Sequence, residues 1–120
     1  MKNKLQSIVM DWIPSESKVV DFGCGDGSLL KMLANKKSIT GYGVENDPNK
    51  INECIINGVS VIQQDIDDGI NNYRDMGFDF AIMASSIQCL RRPKDVIINI
   101  LQVANECVIT LPNFGNWELR

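Results

Sequence analysis

The chain has 120 residues, of which 44% are hydrophobic and 22% charged, and its net charge is −3. This length fits one small domain, and no basic run is present to attract the phosphates of a nucleic acid. No stretch approaches the roughly 18 apolar residues of a membrane span, and the first residues lack a signal-peptide pattern. We therefore expect a cytoplasmic protein that binds neither nucleic acid nor membrane.

The chain contains four cysteines and no histidine. The cysteines are far apart in sequence and none belongs to a Cys-x-x-Cys pair, so the pattern predicts no zinc or other metal site. We expect reduced thiols, most of them buried. The absence of histidine removes the commonest general base, so any proton transfer would fall to other side chains.

Short apolar runs alternate with amphipathic segments along the chain. The predicted strands are Lys18–Phe22, Thr40–Glu45, Val59–Gln64, Phe78–Met83 and Glu106–Leu111. The predicted helices run from Lys4 to Asp11, from Ser28 to about Lys36, from Pro48 to Asn57 and from Pro93 to about Ala104. Such alternation predicts a three-layer α/β domain with a parallel sheet and right-handed crossovers.

A glycine-rich turn, Asp21-Phe22-Gly23-Cys24-Gly25-Asp26-Gly27, separates the first predicted strand from the helix that follows it. Glycine reaches positive φ without steric cost, and it allows a ligand to approach the backbone. The helix start supplies unpaired N–H groups, with Asp26 or Ser28 as the predicted cap. This arrangement is typical of the ligand site of an open α/β sheet, although a purely structural turn is the alternative.

The residues of this turn favour one type of ligand over another. The third glycine comes one residue too early for the dinucleotide fingerprint, and the carboxylate of Asp21 would repel a pyrophosphate. An aminocarboxypropyl group carries an ammonium and a carboxylate, so it suits both an acid and free N–H groups. The turn therefore favours S-adenosylmethionine (SAM) over a nicotinamide cofactor.

Two further acids end the next two predicted strands. Glu45 is placed to accept hydrogen bonds from ribose hydroxyls, and Asp65 from an adenine amino group with Ile66 on the ring face. We expect Asp67 and Asp68 to be solvated, as aspartates in turns usually are. Acids at the ends of three successive strands would repel one another, so the pattern predicts a ligand rich in hydrogen-bond donors.

These motifs resemble those of the MetW family of methionine biosynthesis, within the Rossmann-type SAM-dependent methyltransferases. The resemblance runs from about Ile13 to Arg120. Its segments are the glycine-rich turn with Ser28-Leu29-Leu30, Gly41-Tyr42-Gly43-Val44-Glu45, Val61-Ile62-Gln63-Gln64-Asp65, Gln88-Cys89-Leu90-Arg91-Arg92-Pro93 and Pro112-Asn113-Phe114-Gly115-Asn116-Trp117. The Arg-Arg-Pro and Pro-Asn-Phe-Gly-x-Trp segments are the most specific.

The resemblance implies a sheet of order 3-2-1-4-5 that lacks the last two strands usual in these methyltransferases, because the chain ends at Arg120. That would leave an open edge on the fifth strand, through which copies of the chain could associate. Phe114 and Trp117 in the turn-rich tail would then form a partner surface, or else fold back as core. Arg91 and Arg92 are expected to be a solvated pair of charges.

The resemblance also implies a ligand, its contacts and a partner. SAM or S-adenosylhomocysteine (SAH) would be held by Asp21, Gly23, Cys24, Gly25, Gly27, Glu45, Asn46, Asp65, Ile66 and Ala84. The partner would be homoserine O-acyltransferase. The alternative is an active methyltransferase on a small molecule, with the loop residues Ser85, Ser86 and Gln88 orienting the acceptor; a nicotinamide-dependent oxidoreductase is the third hypothesis.

Overall fold

The computed structural model describes residues 2–84, 90–111 and 117–119. Its α-helices are α1 (Lys2–Trp12), α2 (Ser28–Lys37), α3 (Pro48–Ile56) and α4 (Pro93–Val103). Its strands are β1 (Lys18–Phe22), β2 (Thr40–Glu45), β3 (Ser60–Gln63), β4 (Phe78–Met83), β5 (Ala104–Leu111) and β6 (Trp117–Leu119). Two short 3₁₀ turns, Ile66–Asp68 and Asn71–Met76, connect β3 to β4.

The strands form one sheet of order β3-β2-β1-β4-β5-β6, in which β1 to β5 are parallel. In the central register Val20 lies beside Tyr42 of β2 on one side and Ala81 of β4 on the other. The predicted parallel sheet and its 3-2-1-4-5 order are confirmed. This order places β1 in the middle, so the glycine-rich turn leaves the sheet between the ends of β2 and β4.

The expectation that the sheet ends with an open edge at the fifth strand is wrong. β6 pairs antiparallel with β5, in a register that sets Ile109 opposite Leu119 and Leu111 opposite Trp117. The physical reason is that an edge strand presents a row of unpaired N–H and C=O groups, and the returning chain satisfies them. Self-association through the edge of β5 therefore loses its basis, because that edge is already occupied.

Apolar side chains fill both sides of the sheet. On one side α1, α2 and α3 contribute Val9, Leu30, Leu33 and Cys54 to a cluster with strand residues such as Val19. On the other side α4 and the 3₁₀ turns cover the sheet, and the buried residues there include Phe22, Ile66, Tyr73, Val96, Ile100 and Val103.

The spacing of apolar residues after Pro93 predicts that Val96, Ile97, Ile100, Leu101 and Ala104 face the sheet, and this prediction is wrong at two positions. Leu101 is 47% exposed, and Ala104 is the first residue of β5 and not part of the helix. Val103 is buried in their place, since it lies seven residues after Val96 on the same helical stripe.

The start of α3 is built as its sequence suggests, whereas the prediction that Asp26 or Ser28 caps α2 is wrong. The Asp47 side chain accepts a hydrogen bond from the Asn49 N–H at 2.9 Å, and Pro48 occupies the first turn of α3. Gly27, with φ of +80°, is the N-cap of α2, while the Asp26 carboxylate accepts from the Ser28 N–H at 2.9 Å. Among the helices that the structure describes, none is long and apolar enough to cross a membrane.

Candidate functional site

The glycine-rich turn is folded back against the end of β2. The N–H groups of Gly23 and Cys24 both donate to the Val44 carbonyl, at 2.7 and 3.2 Å. Gly23, Gly25 and Gly27 all have positive φ, at +77°, +61° and +80°. Three left-handed residues within five positions require glycine, which explains the sequence of the turn.

Glu45 at the end of β2 is oriented by the backbone around it. Its Oε1 accepts from the Gly25 N–H at 2.9 Å, and its Oε2 accepts from the Asn46 and Asp47 N–H groups at 3.0 Å each. The carboxylate thus links the glycine-rich turn to the start of α3. A carboxylate has about four acceptor positions, so this one keeps capacity for a ligand.

Asp21 lies at the end of β1, beneath the turn, with 4% of its surface exposed. Burial, and to a smaller extent the negative charge of Glu45, raises the pKa of Asp21 to about 8. The side chain is therefore mostly protonated at pH 7, and it would ionise beside a bound cation.

A cleft of about 410 Å³ opens at this end of the sheet. Its lining residues are Gly23, Val44, Glu45, Asn46, Gln64, Asp65, Ile66, Asp67, Leu90 and Arg91. This volume lies within the range of about 300–1,000 Å³ that is usual for small-molecule sites. The cleft sits beyond the carboxyl ends of β1, β2 and β3, where open α/β sheets bind ligands.

The structure brings five of the ten predicted site residues into this lining: Gly23, Glu45, Asn46, Asp65 and Ile66. Two more predicted residues interact with the lining residue Glu45. The charge of Glu45 raises the pKa of Asp21, and the Gly25 N–H donates a hydrogen bond to the Glu45 carboxylate.

The other three predicted site residues take part in packing. Cys24 is buried, with its Sγ 3.6 Å from the Sγ of Cys54 on α3. A Cβ at Gly27 would come within 2.9 Å of the Val59 side chain. Ala84 packs against the apolar cluster on the side of α1 to α3 and is not among the lining residues.

Asp65 begins the first 3₁₀ turn. Its side chain accepts from the Asp67 N–H at 3.0 Å, and its Oδ2 lies 3.9 Å from the Arg91 guanidinium. Ile66, the next residue, is 8% exposed, so it presents only a narrow apolar face to the cleft. Gln64 precedes them, and its amide is used internally: it accepts from the Tyr73 hydroxyl and donates to the Gly69 carbonyl.

The expectation that Asp67 is solvated is wrong, whereas for Asp68 it is confirmed. The Asp67 side chain is 7% exposed, against 70% for Asp68. Asp67 accepts hydrogen bonds from the backbone N–H groups of Arg91 at 3.2 Å and Arg92 at 3.3 Å. The bond from Arg91 is the largest of the effects that hold the pKa of Asp67 below its usual range.

Five lining residues were not predicted: Val44, Gln64, Asp67, Leu90 and Arg91. The sequence could have indicated Leu90 and Arg91, because they belong to the Leu-Arg-Arg-Pro segment that carries part of the family resemblance. The Arg91 side chain is 69% exposed, as predicted, but it also lies within 4 Å of the carboxylates of Asp65, Asp67 and Asp68. It is thus an exposed charge that also lines the cleft.

The predictions for Ser85, Ser86, Gln88 and Phe114 lie outside the described residues, and Trp117 is described only as the first residue of β6. Within the part of the chain that the structure describes, no group of three or more His, Cys, Asp or Glu side chains is placed to hold a metal ion.

Comparison with known proteins agrees with this geometry. The sequence model of the family described as "Methionine biosynthesis protein MetW" matches residues 3–120. A curated relative from Rhodopirellula baltica, the "Bifunctional methionine biosynthesis protein MetXA/MetW", is 28% identical over 120 residues, which is 93% of this chain. The chain spans only 19% of that relative's length.

Solved structures share the fold at low sequence identity. A SAM-dependent methyltransferase from Geobacter sulfurreducens, solved with SAH, has a TM-score of 0.70 and 15% identity; the match covers 89% of this chain and 45% of that one. The [4+2]-cyclase SpnF has a TM-score of 0.75 and 20% identity, covering 89% and 43%. The cyclase shows that this fold also serves reactions other than methyl transfer, so the fold alone fixes no chemistry.

Proposed function

The chain belongs to the MetW family of methionine biosynthesis proteins, and on that premise we propose that it binds SAM or SAH and acts with homoserine O-acyltransferase. The proposal of this ligand rests on one observation, the placement of three acids around one turn. Glu45 and Asp65 line the cleft, and Asp21 lies buried beside Glu45.

Each acid suits a different part of SAM. The buried carboxyl of Asp21 loses its proton and pairs with the ammonium of the methionine moiety. Glu45 accepts from a ribose hydroxyl with the acceptor capacity that its three backbone bonds leave free. Asp65 accepts from the adenine amino group, with Ile66 against the ring. A pyrophosphate would meet the carboxylates of Glu45 and Asp65, which disfavours a nicotinamide cofactor.

Isothermal titration calorimetry of the full chain with SAM and with SAH tests this proposal. We expect one site per chain for each ligand. Glu45→Gln should weaken both by at least about tenfold, because a charge-assisted hydrogen bond is lost. Glu53→Gln is the matched control, since Glu53 is an exposed residue of α3 that pairs only with Lys50 in the structure described. Absence of binding to wild-type protein, or equal binding by Glu45→Gln, would contradict the proposal.

The acyltransferase is proposed as partner on two grounds. The family resemblance implies it, and the curated relative's name joins a MetXA part to a MetW part within one protein. SAM is made from methionine, so a SAM-binding partner of an early enzyme would couple the pathway to its product.

Co-expression of the chain with the homoserine O-acyltransferase of the same organism tests the partnership. We expect the two to co-purify, and we expect SAM to change the affinity between them. Failure to co-purify, with SAM and without it, would contradict this part of the proposal and leave the ligand unaffected.

The second candidate function is methyl transfer to a small molecule. The fold, shared with methyltransferases such as the Geobacter enzyme, supports it. Incubation with methyl-labelled SAM and a small-molecule extract would produce a labelled product if it is correct. Intact SAM binding without any labelled product would favour the partner role instead.

A further inference from the structure

Asp67 joins two parts of the cleft that are distant in sequence. Its carboxylate belongs to the first 3₁₀ turn, next to Asp65 and Ile66, and it holds the backbone of residues 91 and 92 at the start of α4. In addition, the Nε of Arg91 lies 3.5 Å from the Oδ2 of Asp67. One side chain therefore fixes Leu90 and Arg91 opposite the turn.

The neighbouring Asp68 shows that these contacts are specific to Asp67. Asp68 lies at the same distance, 3.5 Å, from the Arg91 guanidinium, but its side chain is 70% exposed. Its carboxylate accepts from the Arg91 guanidinium, whereas the backbone N–H groups of Arg91 and Arg92 donate to Asp67. A bond to a backbone N–H positions the main chain, whereas an exposed ion pair contributes little.

We propose that Asp67 is a positioning residue for the nucleoside end of the cleft: it holds Leu90 and Arg91 across from Asp65 and Ile66, so that the adenosine half of the ligand is enclosed between them. This inference rests on the proposed function. Leu90 is half-buried against the apolar cluster below α4 and still lines the cleft, so it supplies the second apolar wall. Arg91 adds a planar cation at the rim, which suits the face of a purine.

The test is calorimetry with SAM and with 5′-methylthioadenosine, which keeps the nucleoside and lacks the amino-acid group. Asp67→Asn should weaken both ligands by the same factor, about tenfold, because the affected contacts are to the shared half. Asp68→Asn, which removes the same charge from the same arginine, should change either affinity by less than about twofold. Circular dichroism of each variant checks that it is folded.

A double-mutant cycle separates positioning from a general structural effect. If Asp67 acts through the segment it holds, adding Asp67→Asn to Leu90→Ala should weaken binding little further, whereas independent effects would multiply.

Three outcomes would overturn the inference. Wild-type affinity in Asp67→Asn, or effects that multiply in the cycle, would overturn it and leave the proposed function standing. Absence of SAM binding by the wild-type chain would overturn the proposed function and this inference together.

Discussion

The buried carboxyl of Asp21 links the stability of the protein to pH. An aspartate in an unfolded chain loses its proton near pH 4, whereas burial raises the pKa of Asp21 to about 8 in the folded protein. Between these values the folded state binds more protons than the unfolded state, so the contribution of Asp21 to the free energy of unfolding falls as pH rises.

Asp21→Asn removes this dependence. Relative to wild type, we expect the free energy of unfolding of the variant to increase by roughly 2–4 kcal/mol between pH 5 and pH 8. Urea unfolding at the two pH values measures the difference. Asp75→Asn, a change of the same type at an exposed residue of the second 3₁₀ turn, is the control and should show no such trend. Parallel behaviour of the two variants would contradict the assignment.

Gly25 allows a comparison of backbone strain with ligand contact. Its φ is +61° and a Cβ there would meet nothing within 4 Å, which is also true of Gly77 at φ +74°, away from the cleft. Alanine at either position should cost about 1–2 kcal/mol of stability. Only Gly25→Ala should weaken SAM binding, because relief of the backbone strain there would displace the N–H group that donates to Glu45 at the cleft. Calorimetry and urea unfolding on both variants test this, and equal SAM affinity would refute the placement of the turn.

Single residues of the site were predictable where strand ends impose their position. Glu45 and Asp65 could be placed in one cleft because parallel strands end at a common edge. Asp67 could not, because its partners are backbone groups 24 and 25 residues away. Nothing in local sequence distinguishes it from Asp68, although the side chain of Asp67 is 7% exposed and that of Asp68 is 70% exposed.

At the scale of elements, the glycine-rich turn packs directly on β2. A Cβ at Gly43 would lie 2.4 Å from the Cys24 Sγ, so the strand needs glycine for the turn to approach. Gly43→Ala should therefore destabilise the protein by about 1–3 kcal/mol. Adding Cys24→Ala removes the clashing sulfur, so the double variant should be less destabilised than the sum of the two single changes.

Gly41→Ala provides the control for this packing. It lies on the same strand, and a Cβ there would meet methyl groups of Leu30 and Ile39 at 3.1 and 3.2 Å, which are ends of flexible side chains. Thermal unfolding should show a smaller loss than for Gly43→Ala. Additive losses in the Gly43→Ala, Cys24→Ala pair would contradict the proposed contact.

The strands were easier to predict than the chain that follows them. The bounds of β1, β2 and β4 are as expected, because Gly23 follows β1, Glu45 ends β2 and Gly77 precedes β4. β6 was missed because three residues carry no period of their own, and their pairing with β5 is a tertiary interaction. The outward position of Leu101 was missed because sequence alone gives a helical stripe only to within about one residue.

At the scale of the whole molecule, β6 protects the sheet from other copies of the chain. A chain lacking residues 117–120 should expose the N–H and C=O groups of β5 and associate as concentration rises. Sedimentation velocity measures this as a higher average mass than that of the full chain. Adding Thr110→Lys to the shortened chain should reduce association, because a charge on an edge strand opposes pairing. Equal masses for the full and shortened chains would contradict the protective role.

The thiols of Cys24 and Cys54 can be used to measure local opening of the folded protein. Burial is the main effect that raises the pKa of both thiols, so we expect neither to react with an alkylating reagent until the turn and α3 separate. Cys107 is buried in β5, where its thiol donates to the Ile100 carbonyl and its pKa is raised to about 11. Mass spectrometry of the alkylated protein would thus compare the labelling rate of the pair, which reports opening of the turn, with that of Cys107, which reports opening of the sheet. A ligand that bridges the turn and Glu45 should slow labelling of the pair and leave the labelling rate of Cys107 unchanged.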